Sequence, residues 1–231
     1  MKKFPITPIF IPANKLNYTE KAIKYDADGI IFDLEDAVPI SEKEVARENL
    51  FNFLSSNSFK IPSYIRINDL NDVNGRSDLN LFKSLDFKII IPKIETNEVL
   101  KNIPNNISTI PLIETPLALR NLEGIASSPS VFGLMFGAAD YSAALGSDMS
   151  WEALLYARSK IIIECAINSL FSIDSPFMIT SSQEDLEKEC RLSKSIGFNS
   201  KAAINPSQIN VIKKYFLPTD DEILEAQEII K

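Results

Sequence analysis

Three acidic residues follow a short apolar run near the start of the sequence. Within IIFDLEDAVP, residues 30–39, these acids are Asp33, Glu35 and Asp36. Residues that could take part in catalysis or ligand binding also stand at the ends of later apolar runs: Arg66 and Asn68, Lys93 and Glu95, Glu114, Gly137 and Asp140. Carboxylates gathered beside an apolar core are strongly unfavourable unless a cation or bound protons compensate their charge. A bound metal ion is the economical explanation if the fold brings these run ends together.

The available ligand types decide which metal such a site would hold. The 231 residues include no histidine, and Cys165 and Cys190 have no metal-binding or redox spacing. Both cysteines fall in helix-like segments, which favours buried or incidental thiols. Carboxylate oxygens alone suit Mg²⁺, our first choice, or Mn²⁺, with positions left for water or substrate. Without histidine, catalysis must use carboxylates, Lys, Arg, Tyr, hydroxyls or metal-bound water.

Glu114 and Asp140 are the candidate metal ligands because they end neighbouring predicted strands and could share one ion. Either could instead cap the helix that follows it, Glu114 beside Thr115 and Asp140 before YSAAL. Because Arg66 and the acids of residues 33–36 are predicted on the same rim, a role as metal ligands is favoured over helix capping.

Arg66 lies inside YIRIN, where Ile65 and Ile67 would face outward and Arg66 inward. A buried guanidinium requires an anion. That anion is either Glu35 or Asp36, or the carboxylate of a substrate gripped by two parallel hydrogen bonds.

The segment FGAADYS adds three residues with small side chains, Gly137, Ala138 and Ala139. Small side chains let backbone N–H groups approach a substrate carboxylate or an oxyanion, although they also serve tight turns. Lys93 and Lys201 are each open to a catalytic role or to an ion pair inside the fold.

Short β-rich apolar runs alternate with amphipathic stretches along the whole chain, as expected for parallel strands joined by helical crossovers. Eight strands are predicted, at 8–11, 29–34, 63–68, 87–93, 108–114, 131–137, 171–176 and 200–205. Helices are predicted at 17–25, 41–54, 78–84, 96–102, 116–127, 150–169, 183–196, 206–215 and 220–230. Three start signals support these helices: a capping box of Ser41 and Glu44, Thr115 before Pro116, and Pro206 after the last strand.

Eight such units predict a TIM (β/α)8 barrel as a single domain over residues 1–231, with a doubly wound open sheet as the alternative. In a barrel, the carboxyl ends of all strands share one face, which is where the active site lies. The polar run ends would therefore converge.

Composition points to a small ligand. The net charge is −7 and no basic run stands out, so no nucleic-acid or anionic membrane surface is expected. Three prolines interrupt MKKFPITPIFIPAN, and no later apolar run approaches the ~20 residues of a membrane span. We predict a cytoplasmic location.

The sequence resembles the citrate lyase β-subunit-like family, within the magnesium-dependent aldolase and citrate lyase superfamily. The similar stretches occur in order over residues 9 to about 212: FIPAN, ADGIIFDLEDAVP, YIRIN, IIIPKIET, PLIETPLAL, FGLMFGAADYSAALG, YARSKIIIECA, SIDSPF and IGFNSKAAINPSQI. The resemblance implies a TIM barrel that assembles as a homo-trimer or hexamer.

The resemblance also implies roles for the site residues. Mg²⁺ would be held by Glu114 and Asp140, with Glu35 and Asp36 close by as catalytic partners that contact the metal's ligands or act through water. Arg66 would grip the carboxylate of a keto acid such as oxaloacetate, pyruvate or glyoxylate, beside the backbone of residues 137–139.

The implied reaction is cleavage or formation of a carbon–carbon bond next to a thioester of coenzyme A or a carrier protein. Two alternatives remain open. The chain could be a non-catalytic subunit or scaffold that keeps the metal and keto-acid site. It could also be a pyruvate aldolase that uses no thioester, which the absence of histidine disfavours.

Two segments depart from the family pattern. Asn205-Pro206 stands where relatives usually have His-Pro, and PANKL replaces a Gly-Arg or Gly-Asp pair near the coenzyme A tail. Longer relatives continue into a helical lid that supplies an Asp to a neighbouring subunit, whereas this sequence ends at Lys231. We therefore expect a more open site without that lid.

Overall fold

The computed structural model describes residues 4–104, 106–179 and 182–230. Its strands form one parallel sheet in sequence order: β1 (Pro8–Pro12), β2 (Gly29–Asp33), β3 (Ser63–Arg66), β4 (Lys88–Ile91), β5 (Thr109–Ile113), β6 (Gly133–Phe136), β7 (Phe171–Asp174) and β8 (Ser200–Lys201). A parallel bridge between Ile9 and Ala203 joins the two edges of the sheet, which closes it into a barrel. The TIM-barrel prediction is confirmed, and the open-sheet alternative is wrong.

Helices lie between and after the strands. They are α1 (Tyr18–Lys24), α2 (Lys43–Ser56), α3 (Val73–Phe82), α4 (Pro116–Arg120), α5 (Leu122–Ala126), α6 (Ala138–Leu145), α7 (Trp151–Asn168), α8 (Gln183–Ile196), α9 (Ser207–Phe216) and α10 (Asp220–Ile230), with 3₁₀ turns at Ile40–Glu42 and Leu100–Asn102. No helix among these described ranges is both long and apolar enough to cross a membrane.

The strands separate two apolar layers, because successive side chains of a strand point to opposite faces. The larger layer lies between the sheet and the helices and includes Phe32, Ile65 and Phe136. The smaller layer consists of Ile31, Tyr64, Ile90, Ile110, Leu112, Met135, Phe171, Ile173 and Ala202. With the barrel filled, the strand ends form the floor of the site.

The helix starts are partly as predicted. Thr115 accepts a hydrogen bond from the backbone N–H of Ala118 at 3.1 Å, and Pro116 occupies the first turn of α4. The predicted capping box at Ser41 is wrong: a 3₁₀ turn covers that position, and α2 begins at Lys43 without a side-chain cap.

Three helix predictions need correction. Helix α3 begins at Val73 rather than residue 78, because Asp72 caps it by accepting from the Gly75 N–H at 2.9 Å. The predicted helix at 96–102 is only a 3₁₀ turn. Helix α6 was absent from the predicted helices, although the capping alternative for Asp140 assumed a helix over YSAAL; α6 begins at Ala138, because Ala has the highest helix propensity.

Candidate active site

A cavity of about 380 Å³ opens at the carboxyl ends of the strands. It is lined by most of the residues that the sequence singled out: Asp33, Asp36, Arg66, Glu114, Gly137, Ala138, Ala139 and Asp140. Glu35 lies next to this wall, with its Oε2 at 3.0 Å from Nη1 of Arg66. The barrel therefore brings the candidate residues together.

Other predicted rim residues lie outside the cavity wall. Asn68 is buried, where its Oδ1 accepts from Nζ of Lys43 and its Nδ2 donates to Asp78. Glu95 accepts a hydrogen bond from the hydroxyl of Thr115 at 3.1 Å. These contacts stabilise the loops around the site.

Arg66 is anchored by an acid that sequence reasoning did not pair with it. Its Nε and Nη2 donate to the two carboxylate oxygens of Asp33, each at 2.7 Å. The sequence held only part of the signal, because it places both residues near the ends of neighbouring predicted strands. The structure adds the register, in which Asp33 and Arg66 stand opposite each other. Nη1 remains on the side of Glu35, at 3.0 Å, and Asp36, at 3.5 Å.

Two backbone features position Glu114 at the end of β5. Its Oε1 accepts a hydrogen bond from the backbone N–H of Lys93 at 2.6 Å. The backbone of Lys93 is in the left-handed region, with φ of 55°, which is uncommon for a residue other than glycine. Gly137 packs against the other side, where a Cβ would lie 2.6 Å from Cβ of Glu114.

The capping alternative for the two candidate ligands is wrong. Thr115, not Glu114, caps α4. Asp140 lies inside the first turn of α6, whose N-cap is Gly137. Neither carboxylate is therefore committed to a helix end. The first residues of α6 instead bring free backbone N–H groups and Asp140 to the cavity wall.

Burial, together with the nearby carboxylates of Glu35 and Asp140, raises the pKa of Glu114 to about 8. Burial likewise raises the pKa of Glu35 to about 7, against the lowering effect of Arg66. Both carboxyls would therefore retain protons near neutral pH unless a cation replaced them.

This donor set fits a magnesium ion. Glu114 and Asp140 provide only oxygen ligands, and their mutual repulsion would be relieved by a cation. Within the described ranges, no three His, Cys, Asp or Glu side chains are grouped closely enough to hold a metal by themselves. Water or substrate would have to complete the coordination, as Mg²⁺ commonly allows.

We expect Gly137→Ala to displace Glu114 and abolish magnesium-dependent stabilisation. The added Cβ has no room beside Glu114 Cβ, so the backbone must shift at a cost of about 1–3 kcal/mol. Thermal unfolding with and without Mg²⁺ measures both effects. Gly124→Ala in α5 is the matched control, because its Cβ would lie 3.5 Å from the nearest atom. An unchanged response to Mg²⁺ in Gly137→Ala would contradict this role.

The two lysines that the sequence left open lie in different surroundings. Lys93 Nζ is half-exposed at the rim, 3.6 Å from Oε1 of Glu35. Lys201 is fully buried, and its Nζ donates to Asp174 at 2.9 Å and to Glu189 at 2.6 Å. Lys201 thus forms an ion pair inside the fold.

Sequence reasoning missed Arg158, which joins the same buried network. Arg158 is only 1% exposed, and its Nε donates a hydrogen bond to Asp174 at 3.0 Å. Burial alone would raise the pKa of Asp174, but Arg158 and Lys201 together lower it to about 2. The signal was an arginine within the apolar face of YARSKIIIECA. Cys165 and Cys190 are free and buried, as predicted.

Comparison with known proteins identifies the family. The model of the HpcH/HpaI aldolase/citrate lyase family matches residues 7–206. The citrate lyase subunit beta of Haemophilus influenzae is 29% identical over 96% of this chain and 83% of its own length. A (3S)-malyl-CoA thioesterase of Cereibacter sphaeroides is 30% identical over 93% of this chain and 78% of its own length.

A solved structure supports the same family assignment. The CitE protein of Mycobacterium tuberculosis, crystallised with magnesium, acetoacetate and coenzyme A, superposes with a TM-score of 0.86. It is 25% identical, with 100% of this chain and 87% of that chain covered. The predictions of a metal-dependent lyase, of magnesium and of the citrate lyase β-like resemblance are confirmed at the level of the family. The chain belongs to the HpcH/HpaI aldolase/citrate lyase family.

Proposed function

We propose that this chain is a magnesium-dependent carbon–carbon lyase. It would cleave or form the bond between a small keto acid and an acyl thioester of coenzyme A or a carrier protein. The observation that carries the proposal is the pair of carboxylates Glu114 and Asp140, beside Arg66, in one cavity. The CitE complex with magnesium, acetoacetate and coenzyme A supports the ligand classes.

Glu114 and Asp140 would hold the ion, whose positive charge polarises a bound carbonyl and offsets charge that develops during the reaction. Arg66 would bind the carboxylate of the keto acid through Nη1, while Asp33 fixes the plane of its guanidinium. The free N–H groups at the start of α6 lie on the same wall and favour a second anionic oxygen.

In the cleavage direction, the bond breaks between the hydroxyl-bearing carbon and the carbon next to the thioester. The hydroxyl loses its proton and becomes the keto group, and the electron pair moves onto the thioester as an enolate. A proton then adds to the carbon next to the thioester. Glu35 is suited to exchange such a proton near neutral pH, because its pKa is raised to about 7.

The proposal is tested with the purified protein, Mg²⁺ and acetyl-CoA or acetyl-pantetheine, paired in turn with oxaloacetate, pyruvate and glyoxylate. Mass spectrometry should detect one adduct with a new carbon–carbon bond, and EDTA should abolish it. Release of free thiol without an adduct would indicate thioester hydrolysis instead. Magnesium-dependent binding of a keto acid without product would indicate the non-catalytic binding subunit.

The stabilisation by Mg²⁺ is expected to grow with pH. The folded-state pKa values of Glu35 and Glu114, about 7 and about 8, exceed the ordinary 4.5. Between the ordinary pKa of 4.5 and these raised values, the folded protein binds more protons than the unfolded chain. The stability of the metal-free protein therefore falls as pH rises through this range. Mg²⁺ competes with these protons, and its benefit should be small near pH 6 and largest above about pH 8.

Unfolding temperatures at about pH 6, 7 and 8.5, each with and without Mg²⁺, measure this dependence. For a domain of this size, 1 kcal/mol corresponds to about 2–4 °C. An equal shift at all three pH values would show that protons and metal do not share these carboxylates.

A further inference from the structure

Ser175 stands across the cavity from Arg66. It directly follows β7, which is four strands from β3 in the closed eight-stranded barrel, so the two strand ends lie on opposite sides of the mouth. Both residues line the same cavity. A ligand held by Arg66 at one end would therefore extend towards Ser175 at the other.

The hydroxyl of Ser175 has a proton to offer to such a ligand. Its Oγ accepts a hydrogen bond from Nη2 of Arg158 at 3.4 Å, and its main-chain oxygen accepts from Nζ of Lys201 at 2.7 Å. A guanidinium can only donate, so the hydroxyl proton must point away from Arg158. The residues that the structure describes include no recorded acceptor for that proton. We therefore infer that the hydroxyl proton of Ser175 points into the cavity.

The groups behind Ser175 are held rigidly. Asp174 accepts from Arg158 at 3.0 Å and from Lys201 at 2.9 Å. The guanidinium of Arg158 also lies 5.2 Å from the ring centre of Phe136 and 4.7 Å from that of Trp151. These contacts join β6, β7 and α7 beneath the cavity. The position of the Ser175 hydroxyl is therefore set before a ligand arrives.

The surroundings of Ser175 indicate a neutral acceptor. The cavity wall also includes the apolar residues Met149, Pro176, Met178 and Ile204; Pro176 is next to Ser175 in the chain, and Ile204 follows the neighbouring strand β8. The cations behind it, Arg158 and Lys201, are already paired with Asp174. A carboxylate would find no counter-charge among these neighbours, whereas a carbonyl oxygen needs only one donor in an apolar setting.

We propose that Ser175 donates its hydroxyl proton in a hydrogen bond to the carbonyl oxygen of the acyl thioester. This inference rests on the proposed function and assigns the end of the substrate that is distant from Arg66. Negative charge develops on that oxygen as the carbon–carbon bond breaks. The hydrogen bond is therefore stronger in the transition state than in the bound substrate, and its loss should lower kcat.

The test compares Ser175→Ala with Ser172→Ala. Ser172 is a buried residue of β7, the strand that precedes Ser175; it lies outside the cavity wall, and its hydroxyl donates a hydrogen bond to Oδ1 of Asn199. We expect Ser175→Ala to lower kcat with a thioester substrate by about 100-fold, at the lower end of the range for an oxyanion donor. Binding of Mg²⁺ and keto acid should stay unchanged in both variants, and kcat should stay unchanged in Ser172→Ala.

An unchanged kcat in Ser175→Ala would overturn the assignment. So would a selective loss of keto-acid affinity, because it would place Ser175 at the other end of the substrate. If the alanine variant does not fold, Ser175→Cys replaces the hydroxyl by a weak S–H donor and should show the same loss.

Calorimetric binding of acetyl-pantetheine, with Mg²⁺ and pyruvate present, separates this inference from the proposed function. Weaker thioester binding in Ser175→Ala would support the contact even if the wild-type protein showed no turnover. Unchanged binding would overturn it if kcat were also unchanged or the wild-type protein showed no turnover.

Discussion

Glu114→Gln is expected to weaken Mg²⁺ binding by at least about 100-fold, since even outer partners of a metal site cost about 10- to 100-fold. The neutral amide removes one of two protein ligands but keeps the size of the side chain. Its oxygen can still accept the hydrogen bond from Lys93, so the fold should persist. Titration calorimetry with Mg²⁺, and then with keto acid, measures the loss.

The same variant should be no less stable than the wild type when metal is absent. Burial raises the pKa of Glu114 to about 8, so ionising this carboxyl above that pH disfavours the folded state. Asp140→Asn should lose Mg²⁺ in the same way. Glu123→Gln on the exposed surface of α5 is the control for the charge change. Retained Mg²⁺ affinity in Glu114→Gln would remove Glu114 from the site.

Arg66→Lys is expected to impair both binding and stability. A lysine cannot reproduce the two-pronged contact with Asp33 and also reach a substrate carboxylate. One lost hydrogen bond to a charged group is worth about 1.5–3 kcal/mol, which corresponds to about 10- to 150-fold in keto-acid affinity. A comparable loss is expected in the free energy of unfolding.

Denaturant unfolding and keto-acid titration of the same preparation separate the two effects of Arg66→Lys. Arg120→Lys, on the exposed side of α4, is the matched control. If Arg66→Lys lost stability but bound keto acid as the wild type does, Arg66 would serve only as the partner of Asp33.

The barrel could be predicted because its pattern is local. Each of the eight strands is a short β-rich run such as GIIFD, and each of the eight overlaps its predicted position. The ends were less well predicted, and β3, for example, stops at Arg66 rather than residue 68. Apolar alternation continues past the last paired residue into the rim, where Ile67 of the loop still donates to the backbone oxygen of Ile90 at 3.1 Å, so the sequence pattern overruns the strand.

The site could be predicted only as a set of strand ends. Barrel topology alone brings Glu114, Asp140 and Arg66 to one face, so grouping these three residues in one site required no knowledge of distances or register. The pairing of Arg66 with Asp33 depends on strand register, which the runs do not define. The left-handed backbone of Lys93 is a tertiary feature, because no local residue preference indicates it.

The most direct test of the proposed site is a calorimetric titration of oxaloacetate, pyruvate and glyoxylate into the wild-type protein, with Mg²⁺ and with EDTA. We predict that at least one keto acid binds with Mg²⁺ and none binds with EDTA. The same keto acid should not bind Glu114→Gln under either condition. Binding of equal strength with and without Mg²⁺, or no binding of any keto acid, would contradict a site formed by Glu114, Asp140 and Arg66.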